Sequence, residues 1–409
     1  MDDMEKKILN RIDEMRDEII QFLQKLIQYP SEIPPGKYRE ISKFIAKKME
    51  EFGINTKIKR NNVIGELGNE NSRSLIFNAH FDTVSVHDGW TKKPHSGEMI
   101  GNKIYGRGSA DDKSCIAAEI FAAKALLDVG IDLKGKLIVT AVVNEEIGGI
   151  GGTEYLVNED IIKGDACLLG DGPTDYPILY RGGVLQISFK IKGIRRHAMA
   201  YPDIIPKYRN EYSGINAVHR MIPIMNFLME LQEEFNKEET KYPIPPDLPK
   251  KVSSIEITKI EGGNAIDTVA DNCNLHCMMN FIPEQDIDSI RTRILNFIDE
   301  LKKKYPSVEI SIQNPASIPP QIGDPNSTIA KIVKNVFQKV FGEQRDFKAF
   351  IPTTDAHLFQ MKGIETIIIG TLRGDNNYHA QNEFVYIEDV INATKIYALT
   401  ALNYLKSRF

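Results

Sequence analysis

The stretch SLIFNAHFD, residues 74–82, sets an apolar run directly before His80 and Asp82. Three later apolar runs have the same form: LIVTAVVN precedes Glu145 and Glu146, ACLLG precedes Asp171, and TIIIGT precedes the loop that carries His379. Short apolar runs that alternate with helical segments are typical of buried strands in a mostly parallel sheet. We therefore predict an α/β fold in which a mostly parallel mixed sheet is flanked by helices.

The middle of the chain has a different pattern. Between about residues 183 and 312 the order is strand, helix, two strands, helix and strand, which is typical of a ferredoxin-like α+β unit. The final segment returns to helix and buried strand, which indicates that this unit is inserted into the first domain. We place the inserted domain at residues 183–314 and the two parts of the first domain at residues 1–182 and 315–409.

The composition narrows the class of partner. A net charge of −5 gives no electrostatic reason to expect nucleic acid or an anionic membrane surface. The sequence contains no apolar run long enough to span a bilayer, and its N-terminus lacks the apolar core of a signal peptide. Four cysteines do not make a disulfide framework in a chain of this length. We expect a cytoplasmic protein whose partner is neither nucleic acid nor a membrane.

Polar side chains follow the predicted strands at the point where each strand ends. In parallel sheets, ligands gather beyond the carboxyl ends of the strands. Imidazole and carboxylate groups without thiolates are the ligands of a catalytic zinc, manganese or cobalt site. Two histidines and three carboxylates suffice for two ions that share one carboxylate. The residues of interest are His80, Asp82, Asp111, Glu145, Glu146, Asp171 and His379.

The adjacent pair Glu145 and Glu146 poses a geometric question. Neighbouring side chains of a regular strand point to opposite faces, so both can reach one site only where the strand has ended. The turn at Gly148 and Gly149 makes that feasible. One glutamate would then bind metal, while the other would serve as a general base. In the HFD sequence, the carboxylate of Asp82 is placed to accept the second imidazole N–H of its neighbouring histidine.

Four segments together resemble the M20 metallopeptidase family: LIFNAHFDTV (75–84), YGRGSADDKS (105–114), VVNEEIGGIGG (142–152) and HAQNE (379–383). The resemblance covers the whole chain. It implies a zinc-peptidase-like catalytic domain with an inserted ferredoxin-like lid, and hydrolysis of an amide bond. It also implies two divalent metal ions as cofactors, with zinc as the first choice and cobalt or manganese as alternatives.

The resemblance also implies a role for each matched residue. His80 and Asp171 would bind the first ion, Glu146 and His379 the second, and Asp111 would bridge them, with Glu145 as general base and Asp82 behind His80. The Asp111–Asp112 peptide bond matches the position of a cis bond in relatives.

Further expectations concern the lid and the substrate. The segment IKGIRRHAMAYP resembles the lid segment of the family, which makes His197 a candidate to stabilise an oxyanion. Three more residues match substrate-contacting positions: Asn264, Thr353 and Thr354. Many relatives have arginine where this chain has Asn280 and His357, so the residue that binds a substrate carboxylate stays open. The candidates are Arg181, Arg195, Arg196 and Arg373.

Two substrate classes compete within the family. One is an N-acyl amino acid, which would make the protein a deacylase, and the other is a short peptide, which would make it a dipeptidase or an aminopeptidase. We favour the deacylase. A catalytically silent relative that binds ligand without turnover is a third reading, although all five expected metal ligands and the base are present. We also expect a homodimer that forms through the lid.

Overall fold

A computed structural model describes residues 1–69, 72–199, 213–245, 251–350 and 353–406. The chain divides into two compact units. The first unit comprises Met1–Leu179, Gly323–Lys348 and Thr354–Phe409, and the second comprises Tyr180–Ile322 and Ala349–Thr353. Among the described residues, none of the helices has both the length and the apolar character that a membrane span requires.

Helices and strands are numbered in chain order. The helices are α1 (Asp3–Glu14), α2 (Arg16–Ile27), α3 (Arg39–Glu51), α4 (Lys113–Asp128), α5 (Thr153–Asn158), α6 (Ala217–Phe235), α7 (Ile287–Lys304), α8 (Thr328–Phe341), α9 (Ala356–Gln360) and α10 (Ile387–Lys406). The strands are β1 (Asn55–Lys59), β2 (Asn62–Gly68), β3 (Ser74–His80), β4 (Glu98–Ile100), β5 (Lys103–Tyr105), β6 (Lys136–Val142), β7 (Ala166–Leu169), β8 (Ile178–Arg181), β9 (Gly183–Lys192), β10 (Ser254–Gly262), β11 (Asn272–Phe281), β12 (Glu309–Ile318), β13 (Gln321–Ile322), β14 (Lys348–Phe350), β15 (Glu365–Ile368) and β16 (Phe384–Tyr386).

The first unit is built on a mixed sheet with the strand order β1-β2-β6-β3-β7-β15-β8. The four central strands, β6, β3, β7 and β15, pair in parallel, whereas the pairings at both edges are antiparallel. The central strands are buried almost throughout because helices cover both faces of the sheet. The predicted α/β class with a sheet flanked by helices is confirmed.

Two long helices fill the core of this unit. Helix α4 has the sequence KSCIAAEIFAAKALLD and is buried along most of its length. It packs against α10, which is also largely buried. Several alanines line α4, and the helix also buries the carboxyl group of Glu119 in this interior. Asp111 lies two residues before the first residue of α4, Lys113, and one before its N-cap, Asp112, so this helix anchors the segment that carries one of the candidate ligands.

The second unit contains a four-stranded antiparallel sheet with the order β10-β11-β9-β12. Helices α6 and α7 pack against the apolar face of that sheet. Along the chain the order is strand, helix, two strands, helix, strand, so the predicted ferredoxin-like arrangement is confirmed.

The bounds of the second unit are wider than the predicted range of 183–314. Strand β13 pairs with Tyr180 and Arg181, which brings residues up to Ile322 into this unit. The backbone of Phe350 accepts a hydrogen bond from Gly182 at 2.9 Å, which ties residues 349–353 to it as well. A periodicity argument does not detect such short pairings.

Candidate metal centre

The candidate ligands converge at one edge of the sheet in the first unit. His80 is the last residue of β3, and Asp171 lies just beyond the end of β7. Parallel pairing aligns these strands, with His80 opposite Val142 of β6. Because parallel strands end at the same edge, side chains from distant segments meet there.

Asp111 lies at the centre of the cluster. Its Oδ1 is 3.0 Å from Nε2 of His80, and its Oδ2 is 3.0 Å from Nε2 of His379. Nε2 of His379 is also 3.1 Å from Oε2 of Glu146. The carboxylate of Asp111 therefore lies between two imidazoles, as a bridging ligand would.

Two groups of side chains could each hold an ion, and we call their six residues the candidate metal centre. One group is His80, Glu145 and Asp171, and the other is Asp111, Glu146 and His379, with ligand atoms in each group within 4.8 Å of one another. The structure thus brings together all five expected ligands and the expected base.

The Glu145–Glu146 pair lies in a short 3-10 turn, Glu145–Ile147, that follows β6. The strand has ended before the pair begins, because Asn144 adopts a left-handed backbone conformation with φ of 65°. A bond from the Gly149 N–H to the Asn144 carbonyl, at 2.7 Å, closes the turn. Both glutamates can therefore face the same site.

Asp82 holds that turn in place. It is fully buried, and its two carboxylate oxygens accept the backbone N–H groups of Glu145 and Glu146, each at 3.2 Å. The sequence interpretation assigned this carboxylate to the imidazole of His80. Nδ1 of His80 is instead nearer to the backbone carbonyl of Asp82, at 3.0 Å, than to its Oδ1, at 3.5 Å. The carboxylate therefore keeps a contact with that imidazole and in addition accepts two backbone N–H groups, which the sequence did not predict.

Burial and neighbouring charges raise the pKa values of several side chains in the centre. Burial, reinforced by nearby Asp355 and Glu146, raises the pKa of Glu145 well above its usual value. Burial and the charge of Asp111 do the same to the pKa of Asp171. Hydrogen bonds to Asp111 and Glu146 raise the pKa of His379 to about 10. Such a concentration of acidic groups is costly unless positive charge compensates it.

The hydrogen-bond pattern of His80 tests whether a cation fits. Its Nδ1 lies 3.0 Å from a carbonyl oxygen, which can only accept, so Nδ1 carries a proton. In the neutral ring, Nε2 then presents a lone pair to Oδ1 of Asp111 at 3.0 Å. Two acceptors that face each other need a proton or a cation between them. The donor set of imidazoles and carboxylates suits zinc, manganese or cobalt.

Two candidate ligands have a backbone conformation that L-residues seldom adopt. Asp171 has φ of 62° and His379 has φ of 60°. A non-glycine residue in this region costs roughly 1–3 kcal/mol, and such residues cluster at functional sites. The Asp111–Asp112 peptide bond is cis, as the resemblance implied.

The other expected substrate residues are divided between the two units. His197, Asn264 and Thr353 belong to the second unit, whereas Thr354 belongs to the first. His197 is exposed and forms a backbone bridge with Thr268, and the Asn264 amide donates to Oδ1 of Asp271 at 2.8 Å. Thr354 is buried, and its carbonyl is 2.8 Å from Nδ1 of His357.

Most of the arginines considered for a substrate carboxylate already have partners. Arg373 makes two short bonds to the buried carboxylate of Asp389, at 2.5 and 2.7 Å. Arg195 pairs with Asp271 at 2.9 Å. Arg181 is buried and donates to the carbonyl of Pro319 at 2.9 Å. Arg196 is exposed and donates to the backbone carbonyl of its neighbour at 2.9 Å.

Sequence reasoning missed three side chains next to the centre. The hydroxyl of Tyr38 donates to Oδ1 of Asn144 at 2.8 Å, the residue that opens the glutamate turn. Asp355 is buried close enough to Glu145 to raise its pKa. Glu383 is buried beside Asp111, whose backbone N–H it accepts at 3.2 Å. For Glu383 a signal was present, since it belongs to the same HAQNE segment as His379.

Comparison with known proteins agrees with this geometry. Residues 76–403 match the family described as peptidase family M20/M25/M40. The chain is 27% identical to the N-formyl-4-amino-5-aminomethyl-2-methylpyrimidine deformylase of Bacillus subtilis, over 97% of this chain and 96% of the relative. It is 25% identical to the succinyl-diaminopimelate desuccinylase of Hydrogenovibrio crunogenus, over 95% of this chain and 99% of the relative.

Solved structures share the fold. The crystal structure of human carnosine dipeptidase 1 superposes with a TM-score of 0.72 at 16% identity, and the match covers 99% of this chain and 100% of that one. The family match extends over most of the chain and includes the segments that carry the six residues of the candidate metal centre. This chain is a member of peptidase family M20/M25/M40 and thus of a family of hydrolases.

Proposed function

We propose that this protein is a two-metal hydrolase that removes the acyl group from a small N-acylated substrate, an N-acyl amino acid in the first place. One observation carries the proposal. A buried carboxylate, Asp111, lies 3.0 Å from two imidazoles. A second carboxylate, Glu145, lies in the same group of side chains as His80 and Asp171. That is the arrangement which a bridged ion pair and a separate base require.

Each side chain has a distinct task in this proposal. His80 and Asp171 would hold one divalent ion, Glu146 and His379 would hold the other, and Asp111 would be their shared ligand. Zinc is the first choice, with cobalt and manganese as alternatives. When bound, the ions supply Lewis acidity, which lowers the pKa of water and favours negative charge on a carbonyl oxygen.

Glu145 is the general base. It takes a proton from the attacking water and later passes it to the departing amine nitrogen. Asp82 keeps the glutamate turn fixed through the two backbone N–H groups that it accepts.

His197 is proposed to stabilise the oxyanion. Its segment is held in the second unit by the bond from the Ala198 N–H to the carbonyl of Asp267, at 2.8 Å, and by the bond from the Val269 N–H to the carbonyl of Arg196, also at 2.8 Å. Asn264, Thr353 and Thr354 are proposed to contact the substrate.

The names of the relatives support acyl removal. A deformylase and a desuccinylase each match this chain over nearly its full length. The dipeptidase, at 16% identity, supports the fold alone. The alternative activity, hydrolysis of dipeptides or an aminopeptidase reaction on short peptides, therefore ranks second.

A substrate screen tests the choice. The purified protein, loaded in turn with zinc, manganese and cobalt, is assayed against N-formyl, N-acetyl and N-succinyl amino acids and against a set of dipeptides. An N-formyl amine that lacks a carboxylate belongs in the same screen, because this chain has Asn280 and His357 where many relatives have arginine. We expect turnover of the acyl compounds. Exclusive cleavage of dipeptides would favour the alternative.

Metal analysis separates the enzyme from a silent relative. Two equivalents of metal per chain are expected after loading, together with turnover of at least one compound. A chain that takes up no metal would contradict the proposal as a whole.

We also propose that the protein is a cytoplasmic homodimer that forms through its second unit. Strand β10 is an edge strand of that sheet, and Ile260 on it is 48% exposed. An edge strand offers unpaired backbone groups that can pair about a twofold axis. The four cysteines are buried free thiols, which fits a reducing compartment. Sedimentation at several concentrations tests the dimer, and a monomer throughout would exclude it.

A further inference from the structure

Glu383 occupies an unusual position for a carboxylate. It is fully buried, and its Oε2 accepts Nη1 of Arg107 at 2.6 Å and the backbone N–H of Gly108 at 3.1 Å. Its Oε1 accepts the backbone N–H groups of Ala110 and Asp111, at 3.0 and 3.2 Å. A carboxylate has about four lone-pair sites, and all four are used by one short loop.

That loop carries the bridging ligand. Three of the four donors to Glu383 are backbone groups between residues 108 and 111, so the side chain fixes the path of the main chain that leads into Asp111. The backbone carbonyl of Glu383 adds a further tie, because it accepts the N–H of Gly106 at 2.9 Å.

Glu383 also belongs to the loop that carries His379. The neighbouring residue Asn382 fastens this loop at a second place, because its Oδ1 accepts the backbone N–H groups of Thr91 and Lys92 at 2.9 and 3.0 Å. The two loops are far apart in sequence and meet through these contacts. The distance between Asp111 and His379 is therefore set by side chains of the HAQNE segment and not by local chain geometry.

We propose that Glu383 is a positioning residue that sets the separation of the bridging carboxylate Asp111 from His379 and so the metal affinity of the centre. The inference rests on the proposed function, because it assigns metal binding to these two residues. It goes further in one respect, since it makes a residue that binds no metal responsible for the geometry of two that do.

A rival explanation is that Glu383 merely neutralises the buried guanidinium of Arg107. The two explanations differ in what a double substitution does. Replacing both members of a buried ion pair by apolar residues is often neutral for stability, whereas removing one member leaves a costly buried charge. A double substitution therefore removes the buried unpaired charge but leaves the N–H groups of Gly108, Ala110 and Asp111 without their acceptor.

The test compares wild type with Glu383→Gln and with the double variant Arg107→Met/Glu383→Met. Cobalt is titrated into each metal-free protein, and both the affinity and the visible absorption spectrum are recorded. The matched control is Glu5→Gln, since Glu5 is also a buried acid paired with a lysine, Lys339, at 2.7 Å. Its partners are Lys339 on α8, Asn403 on α10 and the backbone N–H of Asp2, and none of them belongs to the ligand loops.

We expect Glu383→Gln to weaken cobalt binding by roughly 10–100-fold, which is typical for residues that orient metal ligands. We expect the double variant to regain thermal stability but not cobalt affinity, and its spectrum to differ from that of wild type. The Glu5→Gln control should bind cobalt as wild type does. At saturating metal, kcat should fall while KM changes little, because substrate contacts are intact.

Wild-type cobalt affinity and spectrum in the double variant would overturn the proposal and leave charge neutralisation as the role of Glu383. Failure of the proposed function is a separate outcome, because in that case wild type itself would bind no cobalt. Should Glu383→Gln fail to fold, the double variant, which lacks the buried unpaired charge, decides the question alone.

Discussion

Nε2 of His80 and Oδ1 of Asp111 lie 3.0 Å apart, with both residues buried. The pair brings the end of strand β3 to a residue that lies two positions before the start of helix α4. Because Nδ1 of His80 is already bound to a carbonyl oxygen, the pair needs positive charge between its two atoms. The charge between these two atoms and the neighbouring turn at Glu145–Ile147 both affect metal binding in measurable ways.

The first prediction concerns the base. Glu145→Gln keeps the shape of the side chain but removes its capacity to take a proton, so we expect metal binding to persist and kcat to fall by about 10²–10⁴-fold. Metal content and turnover are measured together. Glu159→Gln, an exposed position after α5, serves as the control. Near-normal turnover in a Glu145→Gln protein with full metal content would refute the assignment.

The second prediction concerns the support of the glutamate turn. In Asp82→Asn only one side-chain oxygen remains to accept the N–H groups of Glu145 and Glu146. We expect the turn to shift and metal affinity to drop by roughly 10–100-fold, as measured by competition with a chelator. Asp132→Asn, on an exposed surface, is the control. Unchanged affinity in Asp82→Asn would show that the turn holds without this carboxylate.

The third prediction uses two neighbouring glycines with a positive φ. Gly149 has φ of 73°, and an added Cβ would lie 2.5 Å from Oδ1 of Asp355. Gly148 has φ of 89°, and its added Cβ would meet nothing within 4 Å. Each alanine substitution costs about 1–2 kcal/mol for the left-handed conformation. We expect Gly149→Ala to lose more stability and more activity than Gly148→Ala.

Urea unfolding and turnover of both glycine variants provide the measurement. The comparison isolates the contact with Asp355, because the backbone penalty is shared. Equal losses of stability and of activity in the two proteins would mean that Gly149 can move away from Asp355 without displacing Glu145 and Glu146.

The fourth prediction concerns stabilisation by metal. An ion that binds only the folded state adds ~2.7 kcal/mol to the free energy of unfolding at a hundred times its Kd. Zinc should therefore raise the Tm of the metal-free protein, and His379→Ala should reduce this rise. His87→Ala, on an exposed histidine of the same unit, is expected to behave as wild type. An equal rise in all three proteins would place the ion elsewhere.

The fifth prediction concerns pH and lies outside the centre. Although burial opposes it, hydrogen bonds from Lys339 and Asn403 hold the pKa of Glu5 below its usual value of 4.5. A carboxylate whose pKa is lowered by folding stabilises the protein above its unfolded pKa, and the effect is lost as pH falls through the folded pKa. The stability difference between wild type and Glu5→Gln should therefore be full at neutral pH.

Denaturant unfolding from pH 7 down to acid tests the sign. The difference between the two proteins should shrink below about pH 4.5, the usual pKa of glutamate. Glu18→Gln, an exposed position on α2, gives the reference for a glutamate at the surface. A difference that stays constant over the whole range would contradict the linkage.

Much of this fold can be predicted from the sequence, because the hydrophobic periodicity of a strand or a helix is a local property of the chain. The runs that end at His80, Glu145 and Asp171 predict strands, and parallel pairing then predicts one site at their carboxyl ends. The same reasoning yields the ferredoxin-like order of the second unit. The candidate ligands could thus be proposed from position in the chain together with the chemistry of imidazole and carboxylate.

Only the tertiary structure decides which donors each carboxylate accepts. The sequence placed the Asp82 carboxylate behind the imidazole of His80, where its Oδ1 lies 3.5 Å from Nδ1, but it did not predict the two backbone N–H groups of the glutamate turn that this carboxylate also accepts. It also left Glu383 without a role, although this side chain ties together loops whose residues lie 276 positions apart. Hydrogen bonds of this kind depend on how loops meet in space, and no periodicity in a single chain records such meetings.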